Sequence, residues 1–136
     1  MAASIRTILT DAATMRPDQT WLVTPETDRY FSWRQAQSRA ESIACYLQGA
    51  GLSDGASVAI AAPNGAAASF AFLGVVYGGF RATPLNLVAG VKTLAFVLSH
   101  SKTEMILCAD DSRSLVDEAL AALVSSGETP PRVISQ

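Results

Sequence analysis

Ser99-His100-Ser101-Lys102 sets a hydroxyl three residues ahead of an amine, the spacing at which a lysine can activate a serine nucleophile. The companion motifs of that enzyme class are missing, G-x-S-x-G is missing, and His100 is the single histidine, so no serine–histidine–acid set can be assembled. His100 falls at the end of an expected helix, where the dipole favours an imidazolium, and reads as a structural or surface residue. Asp110-Asp111 has the chemistry of a paired carboxylate or metal site, but it directly precedes Ser112 and an expected helix, so capping is the favoured role. Cys45 and Cys108 match no metal or redox spacing and read as buried free thiols, one in a helix and one in a strand. Phosphate cradles are absent too, since neither G-x-G-x-x-G after a strand nor G-x-x-x-x-G-K-[ST] occurs. Gly78-Gly79 closes a helix, where amides point the wrong way for an anion, and Lys92 and Lys102 are not placed for phosphate. Pro63-Asn64 and Pro84-Leu85-Asn86 are more informative, because each follows an expected strand, and in parallel sheets functional residues gather at the carboxyl ends of strands. Each asparagine either caps the following helix or holds the wall of a cleft, and spacing alone does not separate the two.

The elements that must position these residues follow from periodicity. A helix is expected over residues 3–15, then strands at 21–24 and 29–32 with a hairpin turn at Pro25-Glu26-Thr27-Asp28. Ser32-Trp33-Arg34-Gln35 is a capping box, and behind it Trp33, Ala36, Ala40, Ile43, Leu47 and Ala50 form one apolar stripe, stopped by Gly49 and Gly51. From there strands at 58–62, 80–84, 105–109 and 133–134 alternate with helices at 65–79, 88–100 and 112–124. Such alternation with short connections predicts an α/β fold, with parallel βαβ layers and flanking helices. The helix at 65–79 is apolar nearly all round, with Ala67, Ala71, Gly74 and Gly78 forming a stripe without bulk. It is expected to be buried on more than one side, close to a neighbouring element, and to need a larger body for that burial.

Composition removes other classes. Hydrophobic residues make up 49% and charged residues 16%, so disorder is excluded. Net charge is −2, pI is near 5.2, and the ten basic residues are scattered, which excludes nucleic acid as a partner. The mean hydropathy of +0.25 suggests apolar surface covered by something outside this sequence. Residues 55–80 carry no charge and are long enough to cross a bilayer, but Pro63-Asn64-Gly65 divides the stretch into strand, turn and helix, so no transmembrane segment is expected. Residues 1–15 carry charges and no continuous apolar core, so a signal peptide is not expected there, and with free thiols expected a cytoplasmic location is the expectation.

In order, the segments from Trp21 to Asp110 resemble the N-terminal part of the adenylate-forming superfamily, the acyl-CoA synthetases and related AMP-binding ligases. The resemblance rests on Tyr30-Phe31-Ser32-Trp33 leading into a long helix, on Gly51 to Ile60, on Pro63-Asn64 before an apolar helix, on Phe80 to Asn86, on Val91 to Ser99 and on Met105-Ile106-Leu107. The family's Gly-Asp-x-Val turn reads Asp54-Gly55-Ala56-Ser57-Val58 here. Its Asn-Pro, often followed by a basic residue, reads Asn86-Leu87-Val88, which counts against a coenzyme A contact by this loop. The resemblance implies a large two-domain ligase that makes an acyl-adenylate from a carboxylate and ATP, with Mg2+ neutralising phosphate charge, and then passes the acyl group to CoA. The family's phosphate loop ending in Pro-Lys-Gly, its later nucleotide motifs and its catalytic lysine have no counterpart in these residues.

Residues 1–136 are therefore expected to be one partial domain, the N-terminal fragment of a ligase, inactive alone and without a cofactor of its own. ATP, Mg2+ and CoA would serve the parent, whose remainder and carboxylate substrate are the expected partners, with a homodimer as a further association. The end at Gln136, just after a strand begins, leads to the same expectation. Asn64, Pro84 and Asn86 would line the acyl site as substrate-binding candidates, with no catalytic or metal residue. The alternative is a free-standing, non-catalytic α/β module for interaction or small-ligand binding. A flavodoxin-like carrier would want a Ser/Thr-rich loop after the first strand of the alternating series, which Ala61 to Gly65 does not supply.

Overall fold

Ser4 starts the first ordered element: its hydroxyl accepts from the Thr7 N–H and opens helix α1 (Ile5–Met15), which buries Leu9, Ala12 and Ala13. The computed structural model describes residues 2–136; Met1 lies outside them. Strands β1 (Thr20–Thr24) and β2 (Arg29–Ser32) form an antiparallel hairpin. Its connection is a 3₁₀ turn over Pro25–Thr27, closed by Asp28 in the left-handed region at φ 49°, which short acidic side chains tolerate. The capping box forms: Ser32 Oγ accepts from the Gln35 N–H at 3.2 Å and Gln35 Oε1 accepts from the Ser32 N–H at 2.8 Å. Helix α2 (Trp33–Gly49) follows, buries Ala36, Ala40, Ala44 and Leu47, and is left through Gly51 at φ 74°.

Four parallel strands then build the sheet, β3 (Ser57–Ala61), β4 (Arg81–Pro84), β5 (Thr103–Cys108) and β6 (Arg132–Ser135), in the order β4-β3-β5-β6. The crossovers are α3 (Ala66–Tyr77), α4 (Val91–His100) and α5 (Arg113–Ser125). Alternation sends successive side chains to opposite faces. Val58, Ile60, Met105 and Leu107 meet Leu47 of α2 and Ala71 and Val75 of α3, while Ala59, Ala61, Ile106 and Cys108 meet Leu94 and Leu98 of α4 and Val116, Ala119 and Leu123 of α5. Every residue of β3 is buried, as a central parallel strand covered on both faces requires. At the amino end of the sheet, the buried Ser57 hydroxyl bonds with Thr83 Oγ1 at 2.9 Å and Thr103 Oγ1 at 3.4 Å, tying three strands in register.

Helix α3 is buried on two sides, as its all-round apolarity predicts. Ala71 and Val75 press on the sheet, while Leu73 and Tyr77 pack with Leu9 of α1 and Ala36, Ala40 and Ala44 of α2. Within this chain α1 and α2 stack outside α3 as a further layer, while Ala67 and Phe72 of α3 stay exposed. Its small stripe serves the approach to α2, where Gly74 lies against Ile43 and Gly78 against Ala44.

Other expectations shift with packing. Helix α4 begins at Val91 instead of 88, because Asn86 and Ala89 close a turn ahead of it and Gly90, at φ 88°, precedes the first helical residue. Asp110–Ser112 forms a 3₁₀ turn leading into α5, and neither its aspartates nor Ser112 makes a side-chain cap, so the capping role is not realised. Among the described residues no helix is long and apolar enough to cross a membrane.

Cys108 is buried as expected, but Cys45 is exposed, because it sits one residue past Ala44 and so points about 100° away from the inward stripe of α2. Burial pushes the Cys108 thiol above its ordinary pKa, with the Arg113 charge opposing that shift. Ellman's reagent at mildly alkaline pH is expected to titrate Cys45 in the native chain and Cys108 only on unfolding; rapid reaction of both would show that β5 is open to solvent. Because the folded state favours the protonated Cys108 thiol, its contribution to stability is complete below the unfolded thiol pKa. That contribution is lost as pH rises from there through the folded value.

Candidate functional site

The carboxyl ends of β3 and β4 and the start of α3 meet around one hollow of about 650 Å³. Ile60 and Ala62 come from the end of β3, Pro84 and Leu85 from the end of β4, and Ala68, Ser69, Phe72 and Leu73 from α3. Trp21 of the hairpin also lines the hollow and is held in place by neighbouring rings, Phe70 at 5.3 Å and Trp33 at 6.5 Å between centroids. Pro84 pairs with Ile60 on the edge strand β4, a position that tolerates the missing N–H, and the chain stays seated because the Leu85 N–H donates to the Ile60 carbonyl at 2.9 Å. Phe72 stands at the hollow half exposed.

Asn64 and Pro84, far apart in sequence, thus line the same hollow, whereas Asn86 does not. Asn86 Oδ1 accepts from the Val88 N–H at 3.2 Å and closes the turn before α4, so it holds a loop and neither caps a helix nor enters the hollow. Asn64 is exposed and caps nothing: the residue before α3 is Gly65, and no side chain caps that helix. Trp21, Phe72, Leu73 and Leu85 were not singled out in the sequence. The one available signal was the position of Leu85 between Pro84 and Asn86.

The hollow is lined mainly by hydrocarbon, and its lining residues with polar side-chain groups are Asn64, Trp21 and Ser69, whose hydroxyl donates to the Gly65 carbonyl at 2.9 Å. No lining residue titrates, so the wall can hold an apolar body and orient a polar end but supplies no general base or nucleophile. The residues with reactive chemistry lie elsewhere. Ser99 Oγ donates to Glu128 Oε1 at 2.5 Å, which occupies the serine of the S-x-x-K run. His100 stacks on Phe96 at 5.5 Å at the end of α4, as a surface residue would. Among the described residues no group of three or more His, Cys, Asp and Glu gathers as a metal site. The Glu104 carboxyl is held below its usual pKa, chiefly because it accepts the Ser53 N–H at 3.1 Å, and it lies at the amino end of β5, away from the hollow.

Comparison with known proteins agrees with this arrangement. The family profile described as AMP-binding enzyme matches residues 9–135. The chain is 29% identical over 126 residues to the acetate–CoA ligase CCL3 of Humulus lupulus, covering 90% of this chain and 22% of that protein. It is 27% identical over 110 residues to the long-chain-fatty-acid–CoA ligase FadD13 of Mycobacterium tuberculosis, covering 81% of this chain and 22% of that protein. The solved fatty acyl CoA synthetase of Mycobacterium tuberculosis superposes with a TM-score of 0.85 at 26% identity, over 98% of this chain and 26% of that one. The chain thus spans about a fifth of the length of these curated relatives. With the family profile matching nearly its whole length and the sheet superposing on a solved synthetase, the chain belongs to the AMP-binding enzyme family, in the N-terminal portion of its CoA ligases.

Proposed function

We propose that this chain supplies one wall of the carboxylate site of an ATP-dependent carboxylate–CoA ligase, which forms an acyl-adenylate and then a CoA thioester. The observation that carries this reading is the apolar, non-titrating hollow at the carboxyl ends of β3 and β4, in a chain of the AMP-binding family. Asn64 and Pro84 stand at that wall, and Asn86 holds the neighbouring loop. The apolar body of the carboxylate lies along Phe72, Leu73 and Leu85, and the Asn64 amide faces a polar end.

The hollow does not fit ATP or Mg2+, because its lining offers no carboxylate, lysine or arginine. In the parent, Mg2+ would supply neutralisation of phosphate charge, held by residues outside this chain. No step through either group is assigned to these residues; adenylation and transfer to CoA fall to the remainder of the ligase, and residues 1–136 alone do not catalyse. The free cysteines support a reducing compartment, and we place the ligase in the cytosol.

The test is a chimera in which residues 1–136 replace the matching stretch of the FadD13 ligase, assayed for thioester formation from palmitate, ATP and CoA. The chimera is expected to turn over and the 136-residue chain to give no product. Phe72→Ala in the chimera is expected to raise KM for palmitate about tenfold with kcat nearly unchanged, since it removes apolar contact made equally in the ground and transition states. A folded but inactive chimera, or an unchanged KM, overturns the assignment.

A further inference from the structure

The hairpin ladder breaks step at Trp21. Thr20 pairs with Ser32 and Leu22 with Phe31, so Trp21 is the extra residue of a β-bulge, a device that re-aims a side chain. Among the described residues it alone lines the hollow from outside the β3–α3–β4 unit. Its ring is braced: Phe70 lies 5.3 Å and Trp33 6.5 Å away between centroids, and Phe31 meets Phe70 edge-on at 5.1 Å. Phe31 and Phe70 are both buried, while Trp21 is half-buried and packs against the cluster that holds Leu73 and Tyr77, in the later turns of α3. Asn64 stands at the other end of that helix, ahead of Ala66, and from Ala66 to Leu73 the helix rises about 10 Å. Phe72, the hollow's second ring, is exposed and meets no other ring among the described residues.

We infer that Trp21 is a specificity-determining residue: a fixed end wall, away from Asn64, that fits the site to a medium-chain carboxylate and disfavours a long-chain one. This rests on the ligase reading above and names its substrate class. An acyl chain with its polar end at Asn64 runs along α3 over Leu73 and Leu85 and meets the indole. The indole cannot yield without opening its contacts to Phe70 and Trp33, and densely packed side chains transmit such strain instead of absorbing it. A longer chain must therefore turn out past Phe72 into water, where its extra hydrocarbon loses the burial that a shorter chain keeps.

The experiment measures kcat/KM for octanoate and for palmitate in the FadD13 chimera carrying residues 1–136, with Trp21 intact and as Trp21→Ala, Trp21→Leu and Trp21→Phe, each checked for fold by circular dichroism. The intact chimera is expected to turn over both acids and to favour octanoate. Trp21→Ala is expected to raise the palmitate-to-octanoate ratio about tenfold or more, and Trp21→Leu to raise it less. Trp21→Phe keeps a ring at the wall and is expected to keep the preference. If Trp21→Ala does not fold, Trp21→Leu reads the ratio. A side chain that only stabilised the fold would change both acids by the same factor, and an unmoved ratio in the folded variants overturns the inference. So does an intact chimera that favours palmitate. A folded chimera inactive toward both acids overturns the ligase reading and this assignment with it, whereas an active chimera whose ratio stays in place overturns this assignment alone.

Discussion

Replacing Gly74 by valine is expected to destabilise the chain by about 3 kcal/mol or more. A Cβ at that position would stand 2.5 Å from Cβ and Cγ2 of Ile43, a contact no relaxed packing accommodates. Ile43 cannot swing aside, because its Cβ is fixed to the backbone of α2, and α2 is held by its capping box and by Ala36, Ala40 and Ala44 in the core. Overpacking of this kind costs about 1–3 kcal/mol and sometimes more, against a total stability of roughly 5–15 kcal/mol for a domain. Valine's two further methyl groups put it at the upper end. Gly74→Ala is expected to be milder, since better helix propensity returns about 1 kcal/mol. Adding Ile43→Ala to Gly74→Ala should recover part of the loss, as two residues in contact must couple. Urea unfolding followed by circular dichroism reads all three variants. A Gly74→Val chain with the parental midpoint would show that α2 and α3 do not meet at this point.

The second large effect is expected at Phe70, which is 3% exposed and joins the hairpin to the helical layer. Its ring meets Phe31 edge-on at 5.1 Å, Trp21 at 5.3 Å and the Arg39 guanidinium at 4.6 Å. Phe70→Ala is expected to cost about 3–5 kcal/mol, the usual range for emptying a buried aromatic site. Because Trp21 lines the hollow and leans on Phe70, the loss should also loosen the proposed substrate wall. In a Trp33→Phe background, Trp21 fluorescence should shift to the red in Phe70→Ala and much less in Phe70→Leu. A drop in thermal midpoint without that shift would mean that Trp21 is held by other contacts.

Much of the architecture was legible before any coordinates. The capping box at Ser32 and Gln35 works between residues three apart, and the strand–helix alternation from Val58 onward is written in local periodicity, so the α/β class and the hairpin followed from neighbours in the chain. The resemblance to the AMP-binding ligases was carried by the order of these same segments. The exposure of Cys45 was misread because apolar character alone does not say which side of α2 faces inward, and one residue's rotation moves a side chain out of the stripe. The role of Asn86 was left open by spacing, and the structure adds only that its amide oxygen accepts from the Val88 N–H and closes a turn ahead of α4.

By itself, then, the sequence determined the parallel α/β class, the capping box that starts α2 and the pairing of each proline–asparagine step with a strand end. Only the tertiary structure decided that Asn64, Pro84 and Trp21 share one hollow and that Asn86 does not. The physical reason is the range of the interactions. Caps and periodicity act within a few residues along the chain, whereas a hollow is made where crossovers bring distant strand ends together, and that meeting is set by the β4-β3-β5-β6 order of the folded sheet.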